Sequence, residues 1–209
     1  MFGLFYGLWQ WLFSKTEYRL LILGLDNAGK TTFLEQLKNQ FTPQGGMALD
    51  KITPTVGLNI GRIELSGCKV LVWDLGGQVN LRKIWDKYYS ETHAVCFVID
   101  SADPDRFDEV KATFTGLMEN SALGDVPIMI CANKRDKETS IPSQQLVVRL
   151  GIEAMIKQTS QGSRPPHYRN PASRAEPLRV YRPFDTTALS GEGMRDGITW
   201  VVEYLKANS

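Results

Sequence analysis

The chain has 209 residues, 43% of them hydrophobic, with 24 Lys and Arg against 23 Asp and Glu. That length and apolar content suffice for one buried α/β core and call for no second large domain. The near-zero net charge implies no nucleic-acid-binding surface, and no nucleic-acid partner is expected. Three cysteines without metal-site spacing, Cys68, Cys96 and Cys131, predict reduced core or half-buried residues of a cytosolic protein.

Met1 to Phe13 carries Phe2, Phe5, Leu8, Trp9, Leu12 and Phe13 at positions that gather on one side of a helix, opposite Gly3, Gly7, Gln10 and Ser14. Trp9 and Trp11 suit a membrane interface, but the stretch is too short to span a bilayer and lacks the basic start of a signal peptide. Two readings stay open for residues 1–16: a helix that lies on a membrane, and one docked on the protein's own core. Residues 17–209 then form the folded domain.

The apolar run Leu20-Leu21-Ile22-Leu23 predicts a strand over 18–24, and Phe33, Leu34 and Leu37 predict a helix over 30–40. Between them Gly24-Leu25-Asp26-Asn27-Ala28-Gly29-Lys30-Thr31 fits G-x-x-x-x-G-K-[ST]. Glycines there let successive backbone N–H groups curl around a polyphosphate at a helix N-terminus, where orphan N–H groups and the helix dipole favour an anion. Lys30 would reach the β- and γ-phosphates and the Thr31 hydroxyl would ligate Mg²⁺, with Thr32 beside it.

A loop over 41–57 leads to strands 58–65 and 68–74, joined by a Ser66-Gly67 turn. The second strand runs into Asp74-Leu75-Gly76-Gly77-Gln78. An apolar strand ending in Asp74 presents a carboxylate that holds Mg²⁺ through water. Gly76 is expected to offer its N–H to the γ-phosphate, with Gly77 beside it, and Gln78 to orient the attacking water. Trp73 reads as core packing. A loop over 76–90, a strand over 94–100 and a helix over 105–119 follow. His93 and His167 share no motif with a nucleophile.

Val126 to Ala132 predicts another buried strand, so Asn133-Lys134-Arg135-Asp136 falls at its C-terminal end, where α/β sheets bind ligands. The Asp136 carboxylate can accept from N1–H and the 2-amino group of guanine, a donor pair that adenine lacks. The Lys134 stem can lie across the base while Asn133 braces the phosphate loop. A helix over 142–156, a strand over 179–185 and a helix over 192–206 complete the alternation. It requires a mostly parallel sheet covered on both faces, with one antiparallel hairpin. The segment 157–178, rich in Pro, Ser and Arg, cannot bury a core and reads as a surface insertion. A lineage-specific solvated loop is preferred there over a basic contact surface.

With these motifs in order, the chain resembles the Arf and Arf-like family of small GTP-binding proteins. The Asp-Leu-Gly-Gly-Gln form at 74–78 is specific to that branch, and Thr53-Pro54-Thr55-Val56-Gly57-Leu58-Asn59 is similar to the family's first switch. The Met1-Phe2 start and Gly46 to Ile52 are most similar to the Golgi branch of Arf-related proteins. The resemblance implies a P-loop NTPase of the Ras-like G-domain type, with six mostly parallel strands, helices on both faces and an N-terminal amphipathic helix. It implies GTP/GDP and Mg²⁺ as ligands, Thr55 as a Mg²⁺ ligand in the GTP state only, and Thr187, Ala188 and Leu189 as the final guanine-contacting loop.

The resemblance further implies a monomeric switch served by an exchange factor, an activating protein and GTP-state effectors. That switch would be cytoplasmic and reversibly bound to trans-Golgi membranes, with hydrolysis slow unless an activating protein assists, because no arginine precedes Thr55 within the first switch. GTP binding would slide the hairpin 58–74 by two residues and expel the N-terminal helix; a two-residue slip preserves which face is apolar. Phe2 excludes myristoylation, and the start is similar to those of relatives recognised by an integral Golgi membrane protein. Leu58 stands where Phe is usual, and Val79 where an acidic residue is common. The alternative is a GTP-dependent effector-binding module with vestigial hydrolysis.

Overall fold

The computed structural model describes residues 15–162 and 179–209. The expected N-terminal helix over 1–16 therefore lies almost wholly outside the described residues, as does most of the expected insertion over 157–178.

Among the described residues six strands form one sheet: β1 (Glu17–Leu23), β2 (Leu58–Leu65), β3 (Cys68–Leu75), β4 (Ala94–Asp100), β5 (Ile128–Asn133) and β6 (Tyr181–Asp185), in the order β2-β3-β1-β4-β5-β6. Only the β2–β3 pair is antiparallel, with Asn59 opposite Asp74 and Leu65 opposite Cys68 across the Ser66-Gly67 turn. From β1 the chain crosses one way to β3 and the other way to β4. The β1 C-terminus is thus the switch point at which open α/β sheets leave a ligand crevice.

The strands bury both faces, so alternate residues feed two cores. Leu21, Leu23, Phe97 and Ile99 point to one, where α3 (Phe107–Glu119), α4 (Ser143–Leu150) and α5 (Ile152–Gly162) supply Phe114, Leu117, Leu146 and Ile156. Leu20, Ile22, Cys96 and Val98 point to the other, where α1 (Lys30–Phe41) and α6 (Met194–Ala207) supply Phe33, Leu37, Ile198 and Val202. A short helix α2 (Asp86–Tyr89) lies in the loop after β3. Cys68, Cys96 and Cys131 are free and buried, as expected.

Two elements depart from the sequence reading. The single helix expected over 142–156 is two, because Gly151 takes φ 68° and its N–H closes the last turn of α4 on the Val148 carbonyl. The second of these helices runs on to Gly162, so the insertion begins later than residue 157.

Candidate functional site

The loop from β1 to α1 wraps a cleft of about 490 Å³, a size that suits a small-molecule ligand. Its lining brings together residues far apart in sequence: Gly29, Lys30 and Thr31 from the loop, Thr55 from the 41–57 segment, Gly77 and Gln78 from beyond β3, and Lys134.

Gly29 has φ 93°, and a Cβ there would stand 2.5 Å from the Asn133 side-chain nitrogen, so both backbone and neighbour require glycine. Lys30 is buried and donates to the Leu25 carbonyl at 2.6 Å. Burial pulls its pKa down to about 8, against the opposing charges of Asp74 and Asp26. An anion in the cleft would restore its preference for the charged form.

Beneath the loop, three oxygen donors from three elements meet. The Thr31 and Thr55 hydroxyls lie 2.7 Å apart, and they donate to Asp74 Oδ2 at 2.7 and 3.1 Å. Asp74 is fully buried, and burial pushes its pKa up, while the two hydroxyls and Lys30 pull it down. Its Oδ1 is buried and makes no hydrogen bond among the described residues. Such an orphaned carboxylate oxygen beside two hydroxyls is a donor set for a hard divalent cation. Among the described residues no group of three or more His, Cys, Asp or Glu could hold a metal. The arrangement therefore fits Mg²⁺ that keeps its waters and leans on ligand phosphates, not an all-protein cage.

Asn133, only 1% exposed, links two loops. Its Nδ2 donates to the Ala28 carbonyl at 2.8 Å, and its Oδ1 accepts the Ala188 N–H at 2.9 Å. Lys134 takes φ 65° and its ammonium pairs with Asp100 at 2.6 Å. Asp136 and Leu189 are exposed, while Ala188 and Thr187 are buried, and none of the four is among the residues that line the cleft. Thr187 donates its N–H to the Glu192 carbonyl, which closes that loop.

One expected role is corrected. The Gly76 N–H does not face the cleft, because it donates to the Gly57 carbonyl at 3.0 Å and extends the β2–β3 ladder. Gly77 is the residue pressed against the phosphate loop: a Cβ there would lie 2.4 Å from the Asp26 nitrogen and from Lys30 Nζ. Gln78 is exposed and lines the cleft.

Several residues around the site carry no local sequence signal. Arg106 donates to the Asp26 carbonyl at 3.0 Å and to its carboxylate at 2.8 Å, so the tip of the phosphate loop is tied to the start of α3. Burial raises the Asp26 pKa, but the Arg106 guanidinium outweighs it and holds the carboxyl below its ordinary value. Arg82 and Glu109 join the same cluster. On the far side of α1, buried Glu35 accepts the Met47 N–H at 2.7 Å and pairs with Lys38, which anchors the 41–57 segment. A helical Glu reads as a solvated position until the partner loop is in place.

Comparisons with known proteins agree with this geometry. The family model for the ADP-ribosylation factor family matches residues 5–205. The human ADP-ribosylation factor-related protein 1 is 43% identical over 209 residues, covering all of this chain and 94% of that protein. ADP-ribosylation factor-like protein 3 of Saccharomyces cerevisiae is 37% identical, covering all of this chain and 96% of its own. Among solved structures, the Arl6 small GTPase of Trypanosoma brucei, bound to the nucleotide analogue GppNp, superposes with a TM-score of 0.74. It is 28% identical and covers 93% of this chain and 100% of its own.

Proposed function

The chain belongs to the ADP-ribosylation factor family, whose members are GTP hydrolases that bind GTP and GDP with Mg²⁺, and from that premise we propose how its residues divide the work. The observation that carries the reading is the meeting of Thr31, Thr55 and Asp74 within hydrogen-bond distance. It joins the phosphate loop, the first switch and the strand leading to the second switch at one point, so a ligand there biases both switches together.

In this reading the phosphate-loop N–H groups from Asp26 to Thr32 and the Lys30 ammonium hold the β- and γ-phosphates. Thr31 and Thr55 would ligate Mg²⁺, and Asp74 would hold it through water; the ion when bound neutralises charge developing on the phosphates. The Gly77 N–H meets the γ-phosphate, and Gln78 orients the attacking water from the cleft mouth. Asp136 selects guanine, Lys134 covers the base, and Thr187 to Leu189 close its far edge.

The first switch carries no arginine before Thr55, so intrinsic turnover is slow, on the order of 10⁻⁴ per second, and an arginine supplied in trans adds roughly 10³ to 10⁵. As a family member the chain works with exchange factors, activating proteins and effectors. The finer proposal is recruitment to Golgi membranes in vesicle trafficking, through residues 1–16 in the GTP state. Single-turnover hydrolysis with Golgi extract as the source of activating protein, comparing the parent with Gln78→Leu, tests the switch. A Gln78→Leu rate equal to the parent's would contradict the assignment, and no hydrolysis by the parent would leave a binding module only. Flotation on liposomes with GDP- and GTP-loaded protein tests the recruitment.

A further inference from the structure

Arg82 sits in the short 3₁₀ turn Arg82–Ile84 of the second switch, four residues after Gln78. Its side chain is 16% exposed, and all three guanidinium nitrogens have partners. Nε donates to the Gly77 carbonyl at 2.7 Å, Nη1 to the Thr113 hydroxyl at 3.2 Å and Nη2 to the Glu109 carboxylate at 2.7 Å. Thr113 and Glu109 sit one turn apart on α3, part of the rigid scaffold. Close by, the Trp85 indole N–H donates to the Gly76 carbonyl at 3.1 Å.

Two successive carbonyls of the switch are thus captured by side chains. In a trans peptide the C=O and the following N–H point in opposite directions. Capture of the Gly76 carbonyl by Trp85 therefore turns the Gly77 N–H away from the indole, and capture of the Gly77 carbonyl by Arg82 turns the Gln78 N–H away from the guanidinium. Neither N–H donates to another group among the described residues, and both residues line the cleft. Exposed ion pairs alone contribute little. The bond to the main-chain carbonyl of Gly77, a cleft-lining residue, is what gives Arg82 a consequence for chemistry.

We propose that Arg82 is a positioning residue for GTP hydrolysis: through Glu109 and Thr113 it clamps the Gly77 carbonyl to α3 and fixes the Gly77–Gln78 peptide in the orientation that grips the triphosphate. The proposal rests on the GTPase reading above. Arginine is required because its planar fork serves three acceptors at once; a lysine has one nitrogen to share among them. The clamp acts on the GTP state, since GDP has no γ-phosphate for this peptide to meet.

The test uses the full chain with Arg82→Ala, Arg82→Lys and Thr113→Val. Loss of the clamp predicts that Arg82→Ala releases GppNp about tenfold faster and hydrolyses GTP about tenfold slower in a single turnover, the size of one charge-assisted hydrogen bond. GDP release should stay within about twofold of the parent, a separation that general loosening of the fold would not give. Arg82→Lys and Thr113→Val should fall between parent and Arg82→Ala, and they carry the test if the alanine variant does not fold. Equal GppNp-to-GDP release ratios and equal hydrolysis rates in all variants and the parent would overturn the proposal. If the parent itself neither bound nor hydrolysed GTP, the GTPase reading would fail instead.

Discussion

Asn133→Ala removes a side chain that ties the phosphate loop to the 187–189 loop. Its carboxamide uses both ends, and truncation leaves the Ala28 carbonyl and the Ala188 N–H without their partner in a site where both residues are buried. An orphaned buried polar group costs about 1–3 kcal/mol, and water entering the vacated space recovers part of it, so the net loss is roughly 2–4 kcal/mol. In a chain of this length that lowers the melting temperature by roughly 5–10 °C. The same change should speed release of GDP and GTP alike, since Asn133 touches neither switch. Thermal unfolding at saturating GDP, with release rates of both nucleotides measured separately, checks this. A parent-like melting temperature, or a loss confined to GTP, would refute the reasoning.

Gly77→Ala would force a methyl to within 2.4 Å of the Asp26 nitrogen and the Leu25 carbonyl carbon, backbone atoms that cannot yield. Overpacking of that kind costs about 1–3 kcal/mol or more, so GTP affinity should fall at least about tenfold relative to GDP, read by competition with a fluorescent nucleotide. Because burial holds the Lys30 pKa near 8 in the free protein, a bound polyphosphate should raise it, and nucleotide binding at pH 9 should take up a proton. Calorimetry in buffers of different ionisation enthalpy would show this, and no proton uptake would contradict it. The same shift has a consequence for folding. Lys30 is depressed below its unfolded value of 10.5, so the cost of burying its charge is full below pH 8 and is relieved as pH rises from 8 to 10.5. Asp136→Asn should exchange guanine for xanthine preference, because the amide can donate to a 2-oxo group; unchanged selectivity in the same competition would remove Asp136 from the base site.

Much of this architecture is legible in sequence because its signals are local. The strand, the glycine loop and the apolar helix at 17–41 announce one another, and the Asn133 and Asp74 motifs lie at strand ends where the sheet must open. The division of residues 143–162 into two helices was written in Gly151, yet the apolar spacing continues across it and hides the break. What sequence does not reveal depends on contacts across long separations. The Arg106 guanidinium reaches Asp26 from 80 positions away, and Glu35 becomes an acceptor only when Met47 folds back over α1. The Gly76 N–H is taken up by one ladder bond to Gly57, which no composition or spacing encodes.

The central claim is that this cleft holds a guanine nucleotide, selected by its base and gripped by its phosphates. Displacement of fluorescent GDP from the purified full chain in Mg²⁺, by GTP, GDP and ATP in parallel titrations, tests it most directly. The account predicts that GTP and GDP displace the probe stoichiometrically while ATP fails even at a large excess; ATP displacing it as readily as GTP would contradict the account.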